Sequence, residues 1–262
     1  MSLPAPGRDF SVVHLAGLAH QHGTEAEYQE INVNQTLALA AWAEKNQARR
    51  LIFFSSAKAL GEESPKGRPL RPEDPPNPQD AYGRSKREAE DRLQANFRNS
   101  PMEIVIIRAP LIYGPGVKGN LRTLMKLLSK QIPLPLQAWS QNRRSFASLT
   151  NVISIIEKCL EHPEAARRIF HVSDGEDIST AQLIFRLAQA MGVSARSLAV
   201  PGWLIERGFQ WIGKGDLQRK LAGSLQLDIS QTQQILDWKP AGRMADDLSE
   251  MAEIFKGRPD SA

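Results

Sequence analysis

The chain has 262 residues, of which 41% are hydrophobic and 24% charged, as expected for a globular protein with a sizeable core. No apolar run reaches the roughly 20 residues of a membrane-spanning helix, and the start, MSLPAPGRDF, lacks the apolar core of a signal peptide. We therefore expect no membrane span and a cytoplasmic location. The single cysteine, Cys159, excludes an internal disulfide and is predicted to be a buried thiol within a helix.

The net charge of +4 favours anionic partners, but its distribution does not indicate a nucleic-acid-binding surface. Basic residues occur as scattered pairs, such as Arg143-Arg144 and Arg167-Arg168, without interleaved aromatic residues. We predict no nucleic-acid partner, whereas a small anionic ligand such as a diphosphate would suit the pattern. His20 has too few ligand-type neighbours for a metal site, so none is expected.

Apolar runs alternate with helical patterns along the chain, which predicts an α/β architecture with a parallel sheet. The predicted strands, in chain order, are residues 11–16, 50–55, 103–108 and 169–174. Helical spacing of apolar residues predicts a helix at residues 27–45, and a charged helix is expected at residues 82–97 after the proline-rich residues 61–80. The first strand, the first helix and the second strand together form a βαβ unit.

The second half of the chain is predicted to be mostly helical. The turn GPGVKGN precedes an apolar-periodic helix, and the free amides at such a helix start suit a phosphate group. Ser179 and Gln182 have the spacing of a capping box. The tryptophans Trp203 and Trp211 could anchor an amphipathic segment to a membrane or pack against the core, and the statistics of protein surfaces favour packing.

One group of residues carries recognisable chemistry. Ser55 and Ser56 end the second predicted strand, and Tyr82 and Lys86 lie four residues apart, on one face of the following helix. An ammonium about 4 Å from a phenol stabilises the phenolate by about 4 kcal/mol at an effective dielectric constant of about 20. Although desolvation opposes this effect, we expect the Lys86 ammonium to lower the pKa of Tyr82 and make the phenol a usable base, with a serine hydroxyl holding the substrate oxygen.

Several stretches resemble the extended short-chain dehydrogenase/reductase family, in particular its nucleotide-sugar branch around UDP-glucose 4-epimerase. The stretches, in chain order, are VVHLAG, EINVNQT, RLIFFSSAKALGE, AYGRSK, IVIIRAPLIYGPG, NRRSFASLTNV and LDISQTQQILDWKP. They run nearly from end to end of the chain. Their combination is typical of the superfamily, less specific for the nucleotide-sugar branch, and a poor guide to the particular sugar.

The resemblance assigns roles to individual residues. It implies a catalytic triad of Ser56, Tyr82 and Lys86. Cofactor contacts are implied at Ala16, Gly17, Asn32, Ser55 and Pro110, in addition to Tyr82 and Lys86, and contacts to a nucleotide-sugar diphosphate at Asn120 and Arg144. His14, in an apolar strand, is expected to be a buried histidine with a satisfied side chain.

The implied fold is an incomplete Rossmann-like parallel sheet that lacks the first strands, with a smaller, mostly helical substrate lobe. The implied cofactor domain consists of residues 1–113 and 148–175, and the implied nucleotide-sugar lobe of residues 114–147 and 176–262. The family's glycine-rich cofactor turn and three strands would precede the strand at residues 11–16, so the recorded chain is interpreted as truncated at its N-terminus. This departure predicts weakened NAD or NADP binding and an exposed apolar sheet edge.

The implied function is an NAD(P)-dependent epimerase or 4-ketoreductase acting at C4 of a UDP-sugar or similar nucleotide sugar, and both readings stay open. Ala57 and Lys58 follow Ser56, where 4,6-dehydratases of the family have acidic residues, so a dehydratase is discounted. The SSAKALGE stretch resembles a subgroup associated with O-antigen and capsule sugars. The alternative is a cofactor-poor, non-catalytic remnant that binds a nucleotide sugar or a partner subunit. A homodimer is a further expectation, because relatives pair through helices.

Overall fold

The computed structural model describes residues 10–19, 23–198, 200, 202–211 and 221–257. A four-stranded parallel sheet lies at its centre, with the strand order β1-β2-β3-β6. Its strands are β1 (Ser11–His14), β2 (Arg50–Ser56), β3 (Glu103–Ala109) and β6 (Ile169–His171). The predicted α/β class and parallel sheet are confirmed.

The strand bounds differ slightly from the sequence prediction. β1 ends at His14 rather than at residue 16, because Leu15, Ala16 and Gly17 are exposed and have no partner in the β1–β2 register. β2 and β3 pair over seven residues, and both are almost completely buried. This burial explains their continuous apolar sequences, which are typical of a central parallel strand.

Helices connect and cover the strands. Helix α1 (Glu25–Tyr28) continues through a π-helical segment (Gln29–Asn34) into α2 (Gln35–Lys45), which leads back to β2. The helix α3 (Ala81–Asn96) precedes β3, and α5 (Leu149–Glu161) precedes β6. The helices α2 and α3 contribute to an apolar cluster on one side of the sheet, and α5 contributes to a cluster with Ile52, Val105 and Phe170.

Several of the remaining elements form a second core. A short parallel pair consists of β4 (Leu111–Tyr113) and β5 (Phe146–Ser148). The helices are α4 (Gly119–Ser129), α6 (Thr180–Ala190), α7 (Gly202–Trp211), α8 (Ser230–Leu236) and α9 (Met244–Gly257). Buried residues of α4, α6 and α9 pack together in one cluster, whereas Leu236 of α8 and Trp238 pack with the cluster formed by α5 and the sheet.

Four local predictions can be compared directly with the structure. The Ser179–Gln182 capping box is present at the start of α6, Cys159 is completely buried in α5, and buried His14 is hydrogen-bonded to Thr36 Oγ1 at 2.8 Å. Trp211 is 88% exposed, so packing against the core was the wrong prediction for that residue. The side chain of Trp203 lies outside the described residues.

The described residues contain no helix that combines the length and hydropathy needed to cross a membrane. In the same part of the chain, no three His, Cys, Asp or Glu side chains are grouped closely enough to hold a metal ion.

Candidate functional site

The predicted site residues cluster at the carboxyl ends of three neighbouring strands. Ala16 and Gly17 follow β1, Ser56 is the last residue of β2, and Pro110 directly follows β3. Since these strands are parallel and adjacent in the order β1-β2-β3, their carboxyl ends meet at one edge of the sheet. Open α/β sheets bind ligands at this edge.

The start of α3 brings Tyr82 to the same edge. Asp80 is the N-cap residue of α3, and its Oδ1 accepts a hydrogen bond from the backbone amide of Gly83 at 2.7 Å. Tyr82 is the second residue of the helix, and its ring lies 6.2 Å from the ring of Tyr28, between centroids. The cap and the packed ring fix where the helix begins and therefore where the phenol lies.

Lys86 lies one turn further along α3 and points back to the sheet. Its Nζ donates to the carbonyl oxygen of Phe54 at 2.9 Å and lies 4.6 Å from the centroid of the Phe53 ring. Only 4% of the residue is exposed. Burial lowers the pKa of Lys86 to about 8, although the nearby Glu90 carboxylate opposes the shift.

The pKa of Tyr82 shifts in the opposite direction to the prediction. Burial raises the pKa of the phenol, while hydrogen bonding with the Ser56 side chain and the positive charge of Lys58 lower it in part. The Lys86 ammonium is directed at the Phe54 carbonyl and is not among the groups that shift the Tyr82 pKa. The expectation that Lys86 lowers the pKa of Tyr82 is therefore wrong for the ligand-free protein, because desolvation outweighs the favourable charge.

Asn32 supports the site from the π-helical segment. Its Nδ2 donates to the hydroxyl of Ser85 at 2.9 Å and to the carbonyl of Leu18 at 3.1 Å, and its Oδ1 accepts from the Leu18 amide at 2.7 Å. Both ends of the amide are therefore used to hold the loop after β1 against α3. The sequence did not predict the π-helical turn, which is a feature often found at functional sites.

Gly17 leaves space beside Asn32 and Lys86. A Cβ atom at this position would lie 3.1 Å from Asn32 Oδ1 and 3.4 Å from Lys86 Nζ, so a side chain would crowd both groups. The backbone after β1 is exposed here, next to an amine whose pKa is lowered by burial. This exposed strip of backbone therefore lies beside a hydrogen-bond donor, the Lys86 amine.

Ser55, which the resemblance implied as a cofactor contact, is turned into the protein. Its hydroxyl donates to Glu90 Oε1 at 2.5 Å, and only 3% of the residue is exposed. Glu90 is also paired with Arg108 of β3, whose Nη2 lies 2.6 Å from Glu90 Oε2. Arg108 additionally donates to the carbonyl of Pro72, which ties the proline-rich segment to the sheet.

Sequence reasoning missed this buried ion pair. Both side chains are completely buried, and together they hold the middle of α3 against β2 and β3. The signal was present in the spacing, since Tyr82, Lys86 and Glu90 are four residues apart and share one face of α3. A carboxylate on the buried face of a helix requires a cationic partner.

The two implied diphosphate contacts lie on different elements. Arg144 is partly buried and donates to the carbonyl of Gly223 at 2.8 Å, and burial lowers the pKa of its guanidinium although Glu62 and Glu63 oppose the shift. Asn120 is exposed in the first turn of α4, whose N-cap residue, Lys118, provides no side-chain cap. No side chain therefore caps the amides at this helix start, and the anion site there stays a prediction.

Comparisons with known proteins identify the family of the chain. The model of the NAD dependent epimerase/dehydratase family matches residues 10–173. The chain is 43% identical over 249 residues to the UDP-glucose 4-epimerase of Vibrio cholerae. This match covers 93% of this chain and 76% of that protein. It is 28% identical over 176 residues to the N-acetyl-alpha-D-glucosaminyl-diphospho-ditrans,octacis-undecaprenol 4-epimerase of Escherichia coli O157:H7, covering 66% of this chain and 52% of that protein.

Solved structures share the fold at low sequence identity. The UDP-glucuronic acid 4-epimerase of Bacillus cereus in complex with NAD superposes with a TM-score of 0.75 at 20% identity, covering 94% of this chain and 74% of that one. RMD of Pseudomonas aeruginosa complexed with NADPH superposes with a TM-score of 0.76 at 18% identity, covering 98% of this chain and 90% of that one. The resemblance stated from the sequence motifs is confirmed, and the chain belongs to the NAD dependent epimerase/dehydratase family.

Proposed function

We propose that the protein is an NAD(P)-dependent nucleotide-sugar epimerase that acts at C4 of the sugar through Ser56, Tyr82 and Lys86. The observation that carries the proposal is the meeting of these three residues at the carboxyl edge of the sheet, in a chain 43% identical to a UDP-glucose 4-epimerase. A ligand at this edge would face a hydroxyl held by β2 and a phenol and an amine held by α3.

Ser56 and Tyr82 have distinct tasks in this chemistry. The Ser56 hydroxyl orients the sugar oxygen, and the Tyr82 phenol exchanges the proton of that oxygen as the C4–H bond breaks or forms. NAD, when bound, would accept the hydride from C4 and return it. Tyr82 is half-buried in the ligand-free protein, and a bound substrate would exclude the remaining water from its phenol.

The loop after β1 and the Lys86 amine are the groups proposed to hold the cofactor. Ala16 and Gly17 offer exposed backbone, Lys86 offers an amine beside it, and Pro110 lies at the end of the adjacent strand. Asn32 fixes the loop in place through Leu18. Ser55 is proposed to act indirectly, since its hydroxyl is already bonded to Glu90.

The diphosphate of the nucleotide sugar is assigned to the substrate side of the site. The start of α4 provides exposed amides next to Asn120, and Arg144 provides a guanidinium. We propose that residues 1–113 and 148–175 form the cofactor domain and that residues 114–147 and 176–262 form the substrate lobe. Within that lobe, residues 229–238 include side chains packed against the sheet cluster.

The same site would also suit a 4-ketoreductase. In that reaction Tyr82 would be the acid that protonates the forming alkoxide, and the reduced cofactor would bind from solution. The names of the relatives favour the epimerase, and one relative acts on a lipid-linked sugar, which supports a role in surface polysaccharide synthesis. We also propose a cytoplasmic location and a homodimer.

The test is a titration followed by a turnover assay. The protein is titrated with NAD and, separately, with UDP-glucose, and the mixture is then followed by proton NMR for the anomeric signal of the C4 epimer. Binding of both ligands and appearance of the epimer support the proposal. If the protein fails to bind one of the two ligands, the proposal is overturned.

A binding-only protein is a second candidate, and one specific observation favours it. The pKa of Tyr82 is raised in the ligand-free protein, whereas a proton-exchanging phenol works best with a pKa near neutral pH. In the same experiment, binding of UDP-glucose without measurable affinity for NAD and without turnover would favour this candidate over the epimerase.

A further inference from the structure

Lys58 joins the turn after β2 to the start of α3. The turn is a 3-10 helix (Ala57–Ala59) whose N-cap is Ser56, and the Ser56 hydroxyl accepts from the Lys58 amide at 3.2 Å. The Lys58 ammonium lies 2.7 Å from Glu62 Oε1 and is also bonded to Asp80. Lys58 thus touches Ser56 through its backbone and Asp80 through its side chain.

Asp80 divides its two carboxylate oxygens between two tasks. Oδ1 caps α3 through the Gly83 amide, while Oδ2 is paired with Lys58. Burial alone would lower the pKa of Lys58, but the hydrogen bonds that its ammonium donates to Asp80 and Glu62 raise the pKa overall. The pKa of Asp80 is lowered, because bonds from Lys58 and Gly83 outweigh its burial.

The backbones on either side of this ion pair are in close contact. A Cβ atom at Gly83 would lie 2.5 Å from the carbonyl oxygen of Lys58, so only glycine permits the approach. Gly83 directly follows Tyr82. The turn that carries Ser56 therefore rests on the helical residue next to Tyr82, and small movements of that turn change the spacing between the two hydroxyls.

We propose that Lys58 is a positioning residue that sets the geometry of Ser56 against Tyr82 by pairing the Ser56 turn with the cap of α3. This inference rests on the proposed function. Its charge adds to the effect, because Lys58 lowers the pKa of Tyr82, whereas the neighbouring Asp80 and Tyr28 raise it. The role does not require Lys58 to touch the substrate.

The test compares Lys58→Met with Lys58→Arg, which preserves the charge, and with Lys66→Met, which removes an exposed lysine from the neighbouring loop. The three tyrosines are labelled as 3-fluorotyrosine and followed by fluorine NMR, and Tyr82→Phe assigns the Tyr82 signal. Lys58→Met should move the Tyr82 signal and raise its titration midpoint, whereas Lys58→Arg and Lys66→Met should leave both unchanged. Melting curves confirm that each variant is folded.

Turnover gives an independent readout. Lys58→Met should lower kcat at least about 10-fold with little change in KM, because misplaced catalytic groups slow the reaction more than they weaken binding. An unchanged Tyr82 signal and midpoint in folded Lys58→Met would overturn the inference. This NMR result does not depend on turnover, so it is distinct from failure of the proposed function, which would appear as an absence of ligand binding in the wild-type protein.

Discussion

Replacing Lys86 with methionine should make the folded protein more stable at neutral pH. The amine is 4% exposed, and burial lowers its pKa from 10.5 to about 8, a shift equivalent to about 3 kcal/mol. At pH 7 the amine is still protonated, so the folded state bears the full cost of the buried charge. Loss of the hydrogen bond to Phe54 removes about 1 kcal/mol of this gain, which leaves about 2 kcal/mol.

The pH dependence of this gain has a definite sign. Between pH 8 and 10.5 the unfolded wild-type chain binds more protons at Lys86 than the folded chain does, so the wild-type free energy of unfolding rises with pH in this window. Methionine has no such group. The stability difference between Lys86→Met and the wild type should therefore be largest below pH 8 and should shrink as the pH approaches 10.5.

Urea denaturation at pH 7.0 and at about pH 9.5 measures both quantities. Lys58→Met is the matched control, because the pKa of Lys58 is raised by its carboxylate partners and its removal should destabilise the protein at pH 7. A Lys86→Met variant that is less stable than the wild type at pH 7, or a stability difference that does not change with pH, would refute the reasoning.

Three further predictions concern the scaffold. Arg108→Met should destabilise the protein by about 3–5 kcal/mol in urea denaturation, because the buried Glu90 carboxylate loses its partner. The double variant Arg108→Met/Glu90→Leu should recover part of this loss. Equal stability of Arg108→Met and the wild type would contradict this account. Ser179→Ala should cost about 1 kcal/mol in the free energy of unfolding through loss of the α6 cap, whereas Ser249→Ala, at an exposed position of α9, should cost little. Equal losses would argue against the cap. Cys159, whose pKa is raised by burial to about 12, should resist thiol reagents at pH 8 until the protein unfolds; rapid labelling of the native protein would show that the thiol is accessible.

The central strands were predictable because burial on both faces gives a parallel strand a continuous apolar sequence. The runs at β2 and β3 are of this kind, and their bounds differ by no more than a residue from the prediction. The end of β1 was not predictable from its apolar run, since Leu15 and Ala16 are apolar but exposed. Such residues beyond a strand end have no distinct sequence signal.

The identities of the site residues were predictable from motifs, but their electrostatics were not. The prediction for Tyr82 assumed that an amine four residues away would lie beside the phenol. The structure instead directs Lys86 at the Phe54 carbonyl and places Lys58 among the groups that shift the Tyr82 pKa. Side-chain direction and burial decide the sign of a pKa shift, and neither is fixed by spacing along a helix.

The role of the Tyr82 phenol is the central claim, and the Tyr82→Phe variant tests it most directly. With NAD and UDP-glucose present, C4 epimerisation should fall at least about 100-fold, while UDP-glucose affinity, measured by calorimetry, should change little because only the hydroxyl is deleted. A Tyr82→Phe variant that turns over at a rate close to that of the wild type would contradict the account.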